Sequence, residues 1–189
     1  MADAKRTLRR EILARRRELT PEAREAAGAR ISELLTQTAE FAAARRIVMY
    51  AALEFEAPTA LLAEAALAAN KELLWPRVRA ADDIEVARGE RLDEFEPDAS
   101  GVLAPVASIR AGRIAPYDLV LVPGVAFTRR GARLGRGGGL YDRLLANAGE
   151  AISIGLAFDI QLVDEIPAEP HDRSVEIVAT PSGLWRNTR

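Results

Sequence analysis

Cysteine is absent from the 189 residues, and histidine occurs once, as His171. The first absence excludes disulfides, thiolate metal sites and thiol catalysis; the second excludes a centre built on several imidazoles. Aromatic residues make up only 5% of the chain and the formal net charge is −2. Both weigh against a surface devoted to nucleic acid, which needs a cationic footprint and stacking platforms. No apolar run approaches the roughly 18 residues of a membrane span, and the N-terminus lacks an apolar signal core. The basic N-terminal stretch also carries Asp3, Glu11 and Glu18, unlike the acid-poor composition of a transit peptide. The expectation is a cytoplasmic, monomeric protein with neither membrane nor nucleic-acid partners.

What the chain does have is apolar content, 49%, enough to bury one full core as a single domain over residues 1–189. Residues 3–17 read as a basic amphipathic helix with Leu8, Ile12 and Leu13 on one face, and Arg10, Arg15, Arg16 and Arg17 as a solvated surface. A second helix follows, with Thr20 as N-cap, Pro21 in the first turn, and Ala27, Ile31, Leu34 and Leu35 facing inward. Short β-prone runs at 47–52, 73–78, 84–87, 119–122, 152–157 and 175–179 alternate with helical stretches at 59–69, 140–148 and 160–163. Pro76 suggests a strand end or bulge in the second of these. Residues 88–116 read as irregular connections with one short element. Alternation of strand and helix predicts a layered α/β domain with its sites at the carboxyl ends of the strands.

The most informative segment is Asp118–Arg143, DLVLVPGVAFTRRGARLGRGGGLYDR, which holds six of the thirteen glycines. Glycine lets backbone N–H groups approach an anion without a Cβ in the way, and Arg129, Arg133 and Arg136 add cationic donors. Asp142 follows at a helix start, a hard oxygen ligand suited to magnesium beside a phosphate. Neither common nucleotide motif fits: no Lys-Ser or Lys-Thr follows Gly131–Arg136, and Leu140 stands where the third glycine of GxGxxG belongs.

The order Pro123, Gly124, Phe127, Gly131, Arg133, Leu134, Gly135, Gly137, Gly139, Tyr141, Asp142 closely resembles the 5-formyltetrahydrofolate cyclo-ligase family, also called methenyltetrahydrofolate synthetases. Lys5 with Leu8 and Arg9 resembles that family's N-terminal KxxLR, and the likeness extends to Tyr50–Glu56 with Thr59, to Pro76-Arg77 and to Pro167–Asp172. Three positions depart from the pattern: Thr128 replaces an Asp, Leu140 replaces the first Tyr of a Tyr-Tyr pair, and Glu176 stands near a usual Asp.

The resemblance implies an α/β domain of the NagB/RpiA/CoA-transferase-like type, with a mostly parallel central sheet flanked by helices and a helical N-terminus. It implies an ATP- and magnesium-dependent ring closure of 5-formyltetrahydrofolate to 5,10-methenyltetrahydrofolate. By position, ATP falls to Lys5, Arg9, Arg133, Leu134, Gly135, Arg136, Gly137, Gly138, Gly139, Leu140 and Tyr141, with Arg133 and Arg136 catalytic. Folate falls to Ala51, Glu56, Arg136, Gly137, Gly138, Gly139 and Leu140, and magnesium to Asp142 and Asp172. Tyr50, Trp75, Phe127 and Tyr141 are candidates for ring stacking, though aromatic side chains more often fill cores. A lone loop histidine is seldom an acid or base, and His171 stays outside the catalytic set.

Overall fold

In the computed structural model, which describes residues 2–80 and 83–187, apolar pairs on successive residues account for the layering. In β1 (Arg46–Val48), Ile47 and Val48 are both fully buried but face opposite sides, as do the alternating residues Leu119, Val120, Leu121 and Val122 of β7 (Leu119–Pro123). A strand apolar on both faces needs cover on both, which is the environment of a central parallel strand.

The remaining elements are α1 (Ala2–Arg17), α2 (Pro21–Thr36), α3 (Ala39–Ala43), α4 (Ala60–Ala68), β2 (Glu72–Ala80), β3 (Asp83–Arg88), β4 (Phe95–Pro97), β5 (Leu103–Pro105), β6 (Ala111–Gly112), β8 (Ala126–Phe127), β9 (Arg133–Leu134), α5 (Leu140–Ala146), β10 (Ile152–Leu156), β11 (Ile177–Thr180) and β12 (Gly183–Arg186). Eight strands form one sheet in the order β12-β11-β10-β7-β1-β2-β3-β6. The five central strands, β11 to β2, pair in parallel, while β12, β3 and β6 run antiparallel at the edges. Ile31, Leu35, Phe41, Leu62 and Ala66 cover one face together with Ile47, Leu121 and Ile154. Val48, Val120, Val122, Phe127, Leu144 and Val178 fill the other. The predicted layered α/β class and helical N-terminus are as found.

Capping of α2 also follows the sequence: Thr20 Oγ1 accepts the Ala23 N–H at 3.2 Å, with Pro21 in the first turn. Elsewhere the boundaries differ. The run 47–52 is strand only to Val48, so Tyr50–Glu56 is loop throughout. Pro76 lies inside β2, paired with Val86, rather than at an end or bulge. It is tolerated because β1 pairs with β2 only through Leu74, so the ladder on that side has already ended. Residues 88–116 hold a β4–β5 hairpin and β6 instead of one short element, and 159–161 form a single 3-10 turn. The β8–β9 hairpin and β12 are additions that no periodicity announced, being two to four residues long.

The chain runs β1 to β2 on one side of β1, then returns to β7 on the other. Adjacent strands whose chains depart in opposite directions leave a crevice at their carboxyl ends. Here the crevice lies between the loop after β1 and the loop after β7.

Candidate active site

A cavity of about 290 Å³ occupies this crevice. From the β1 side come Tyr50, Ala51, Leu53 and Glu56; from the β7 side, Pro123 and Gly124; from the glycine loop, Arg133, Gly135, Arg136, Gly138, Gly139, Leu140, Tyr141 and Asp142. Pro76 and Val78 of β2, with Asp98, Ser100, Val102 and Leu103, complete the wall. Those last four lie in the segment read as irregular. Nothing in their sequence marks them, since they reach the cavity only because β2 and β5 pack together.

The glycine segment is more ordered than a flexible cradle. After β7 the chain makes the β8–β9 hairpin, whose tip is closed by Gly131 N–H to Thr128 O at 3.0 Å and by Ala132 N–H to Thr128 Oγ1 at 3.1 Å. Thr128 thus supplies the side-chain acceptor that an Asp could supply there. This hairpin carries Arg129 away from the cavity, over the Trp185 ring at 5.6 Å, so Arg129 does not join the proposed anion donors. Arg133 turns inward: its side chain is 3% exposed, Nη2 donates to Asp142 Oδ1 at 2.7 Å and Nη1 to Pro123 O at 3.4 Å. Among the described residues its buried Nε has no acceptor. Gly135 makes room for this guanidinium, since a Cβ there would lie 2.9 Å from Nη1. Gly139, at φ 63°, turns the chain into α5.

Asp142 Oδ1 also accepts the Arg173 N–H at 3.1 Å, which brings the loop bearing Asp172 against α5. Asp172 Oδ2 takes the Lys5 ammonium at 2.6 Å and the Glu169 N–H at 2.7 Å, and Lys5 bonds Glu169 Oε2 at 2.7 Å. As donors, Asp142 and Asp172 fit magnesium, which favours a few carboxylate oxygens completed by water and phosphate. Lys5, Arg9, Leu134, Gly137 and Asp172 are not part of the cavity wall. Arg9 nevertheless touches the loop, donating from Nε to Gly135 O at 2.8 Å, whereas the Leu134 side chain is core beside Ile12 and Val125.

On the other wall, Glu56 is buried on the loop after β1. Its Oε2 accepts the Leu53 N–H at 3.2 Å and its Oε1 lies 3.9 Å from the Arg136 guanidinium. Glu54, two residues earlier, is exposed. Burial, reinforced by the Glu56 charge, pushes the phenols of Tyr50 and Tyr141 well above the usual tyrosine range. Both therefore stay neutral donors at neutral pH. Of the four aromatic candidates, Tyr50 and Tyr141 line the cavity. Phe127 is fully buried, and Trp75 packs edge-on against Phe95.

Arg16, assigned to a solvated face, is only 3% exposed, while Arg15 and Arg17 are exposed as expected. Its register was the available signal: Lys5, Arg9, Ile12 and Arg16 share one helical stripe.

The sequence profile of the 5-formyltetrahydrofolate cyclo-ligase family matches residues 1–181. The chain belongs to this family. The cyclo-ligase of Escherichia coli is 29% identical over 179 residues, covering 92% of this chain and 98% of that one. The cyclo-ligase of Mycolicibacterium smegmatis is 47% identical over 78 residues, 41% of this chain and 40% of that one. The solution structure of the Aquifex aeolicus 5,10-methenyltetrahydrofolate synthetase superposes with a TM-score of 0.84 at 27% identity, covering 98% of this chain and 93% of that one. As a member of the cyclo-ligase family, the chain presents much of its glycine-rich motif, Arg133, Gly135, Arg136 and Gly138 to Asp142, along one wall of the crevice.

The Lys5 tie predicts how α1 responds to pH. Burial pulls Lys5 down, but bonds and charges from Asp172 and Glu169 outweigh it and hold the ammonium above its usual value. Lys5 holds Glu169 below the usual carboxylate range. For Asp172, burial pushes up, yet Lys5 and the Glu169 N–H bring the carboxyl below it. The carboxylates' share is present above their ordinary values near ~4 and lost as pH falls through the depressed ones; the Lys5 share is present below ~10.4 and lost as pH rises through the raised one. Amide protection factors over residues 5–16 are therefore expected to be highest in the window between and to fall in acid. Undiminished protection in acid strong enough to protonate both carboxylates would show that the tie holds nothing.

Proposed function

We propose that this chain closes 5-formyltetrahydrofolate to 5,10-methenyltetrahydrofolate, converting ATP to ADP and phosphate. The observation carrying this reading is that one cavity joins a glycine loop bearing two guanidinium groups to a wall of apolar residues ending in a buried carboxylate. An anionic nucleotide suits the first and an aromatic, N–H-rich pterin the second. At about 290 Å³ the cavity is at the small end for ligand sites, so it encloses the reacting parts while the rest of each ligand runs to solvent.

The chemical problem is an unreactive formamide. Its oxygen attacks the γ-phosphorus, the bond to ADP breaks, and the carbon then carries a phosphate leaving group. N10 adds to that carbon and loses its proton; the C–O bond breaks, and phosphate departs with the formyl oxygen. Alignment and charge stabilisation are the protein's tasks in such a transfer. Arg133 and Arg136 would act as the catalytic cations, and the unpartnered Arg133 Nε gives a phosphate oxygen a buried donor. Backbone groups from Arg133 to Tyr141 would bind the phosphates, with Lys5 and Arg9 closing from α1 and Gly137 to Leu140 shared with the folate. Asp142 and Asp172 would hold magnesium, whose charge, when bound, neutralises the β- and γ-phosphates. Glu56 would accept pterin N–H bonds beside Ala51. In this reading the enzyme works as a monomer in the cytoplasm.

Purified protein given magnesium, ATP and 5-formyltetrahydrofolate is expected to generate methenyl absorbance, and none without ATP. Methenyl formation at the same rate without ATP, or none with it, would overturn the ATP-coupled reading.

A further inference from the structure

Arg16 is a buried cation that the reaction above leaves without a task. Taking a guanidinium out of water costs several kcal/mol unless its donors are met, so buried ones are placed for a reason. Its partners are two backbone carbonyls from the two loops that flank the crevice. Nε donates to Phe55 O at 2.5 Å and Nη1 to Gly124 O at 3.4 Å. Phe55 sits inside the turn whose other bonds run from Glu56 N–H to Leu53 O at 2.8 Å and from Leu53 N–H to Glu56 Oε2 at 3.2 Å. Gly124 O has a second donor, Gln161 Nε2 at 2.8 Å. Losing Arg16 would therefore leave the end of β7 still held but strip the Leu53–Glu56 turn of its tie to α1.

The helix gives this contact its meaning. Lys5, Arg9 and Arg16 lie on one stripe of α1, where Lys5 holds the Asp172 loop, Arg9 the glycine loop and Arg16 the Glu56 turn. The first two contacts are on the nucleotide side of the proposed site and the third is on the folate side.

We propose that Arg16 is a positioning residue for the folate half of the reaction: it fixes the Leu53–Glu56 turn against β7 so that the Glu56 carboxylate is presented in one place. This rests on the function proposed above. Arg16 reaches its two carbonyls from separate nitrogens, Nε and Nη1, a spread that one ammonium nitrogen does not reproduce, so Arg16→Lys keeps the charge and the helix docking while losing the span. The variant is expected to raise KM for 5-formyltetrahydrofolate about tenfold, with KM for ATP within about twofold of the parent. Combined with Glu56→Gln it should add little, because both changes act through one carboxylate. Equal shifts in the two KM values, or effects that multiply in the double variant, would overturn the assignment. Hydrogen exchange reads the clamp independently of turnover. Residues 53–57 should lose protection in Arg16→Lys while 133–142 keep theirs, and unchanged exchange at 53–57 would overturn it equally. Should the parent protein fail to form methenyltetrahydrofolate while exchange shifts as stated, the reaction assignment falls and the clamp stands.

Discussion

Asp142→Asn is expected to lower turnover by about 100-fold or more, while the melting temperature moves by no more than about 3 °C. The two effects separate because of how the carboxylate is used. Both of its hydrogen bonds, from Arg133 Nη2 and from the Arg173 N–H, go to Oδ1. An asparagine of the same shape keeps an acceptor at that position. What it loses is the negative charge and the free Oδ2, which among the described residues accepts no hydrogen bond. Those are the properties a magnesium ligand needs and a structural acceptor does not. Steady-state rates at saturating substrates, with calorimetric melting alongside, make the comparison; parallel losses of activity and stability would return Asp142 to a structural role.

The second large effect is on substrate affinity. Glu56→Gln should raise KM for 5-formyltetrahydrofolate by about 10- to 100-fold and leave KM for ATP unchanged. The carboxylate is only 9% exposed, weakly bonded to Leu53 N–H and 3.9 Å from Arg136, so most of its acceptor capacity faces the cavity. Pterin N–H groups meet two acceptor oxygens in the parent but one acceptor and one N–H donor in the variant. A donor facing a donor in a buried site leaves both unsatisfied, a cost of roughly 1–3 kcal/mol. An unchanged folate KM would remove Glu56 from the site.

The parts of this structure legible in the sequence are those governed by local chemistry. β1 and β7 announce themselves by apolar runs, α2 by Thr20 and Pro21, and the crevice by the glycine segment after Pro123. Sequence likeness pointed further, to Glu56, which lies on the cavity wall, and to Asp172, which lies outside it on the loop held against α5. What stayed hidden depends on tertiary packing. Arg129 and Arg133 look alike in a list of loop arginines, and only the β8–β9 hairpin sends one out to Trp185 and the other in to Asp142. Asp98 to Leu103 join the wall through a hairpin that no periodicity predicts. Arg16 was hidden by its neighbours, since a run of three arginines reads as solvated unless the helical stripe through Ile12 is followed.

That stripe also ties the N-terminal helix to the loops around the cavity. Its three inward cations reach the Asp172 loop, the glycine loop and the Glu56 turn, so undocking α1 would loosen the loops on both sides of the cavity together. Acid, which discharges Asp172 and Glu169, acts on the first of these contacts.

The central claim is that ATP and folate meet in this cavity and that the formyl oxygen itself is phosphorylated. The direct measurement is a turnover in unlabelled water with 5-formyltetrahydrofolate carrying ¹⁸O in the formyl group, followed by mass analysis of the released phosphate and of the unreacted substrate. One ¹⁸O atom per phosphate, after correction for any label the unreacted substrate has lost, is the result predicted here. Unlabelled phosphate from substrate that has kept its label would contradict it.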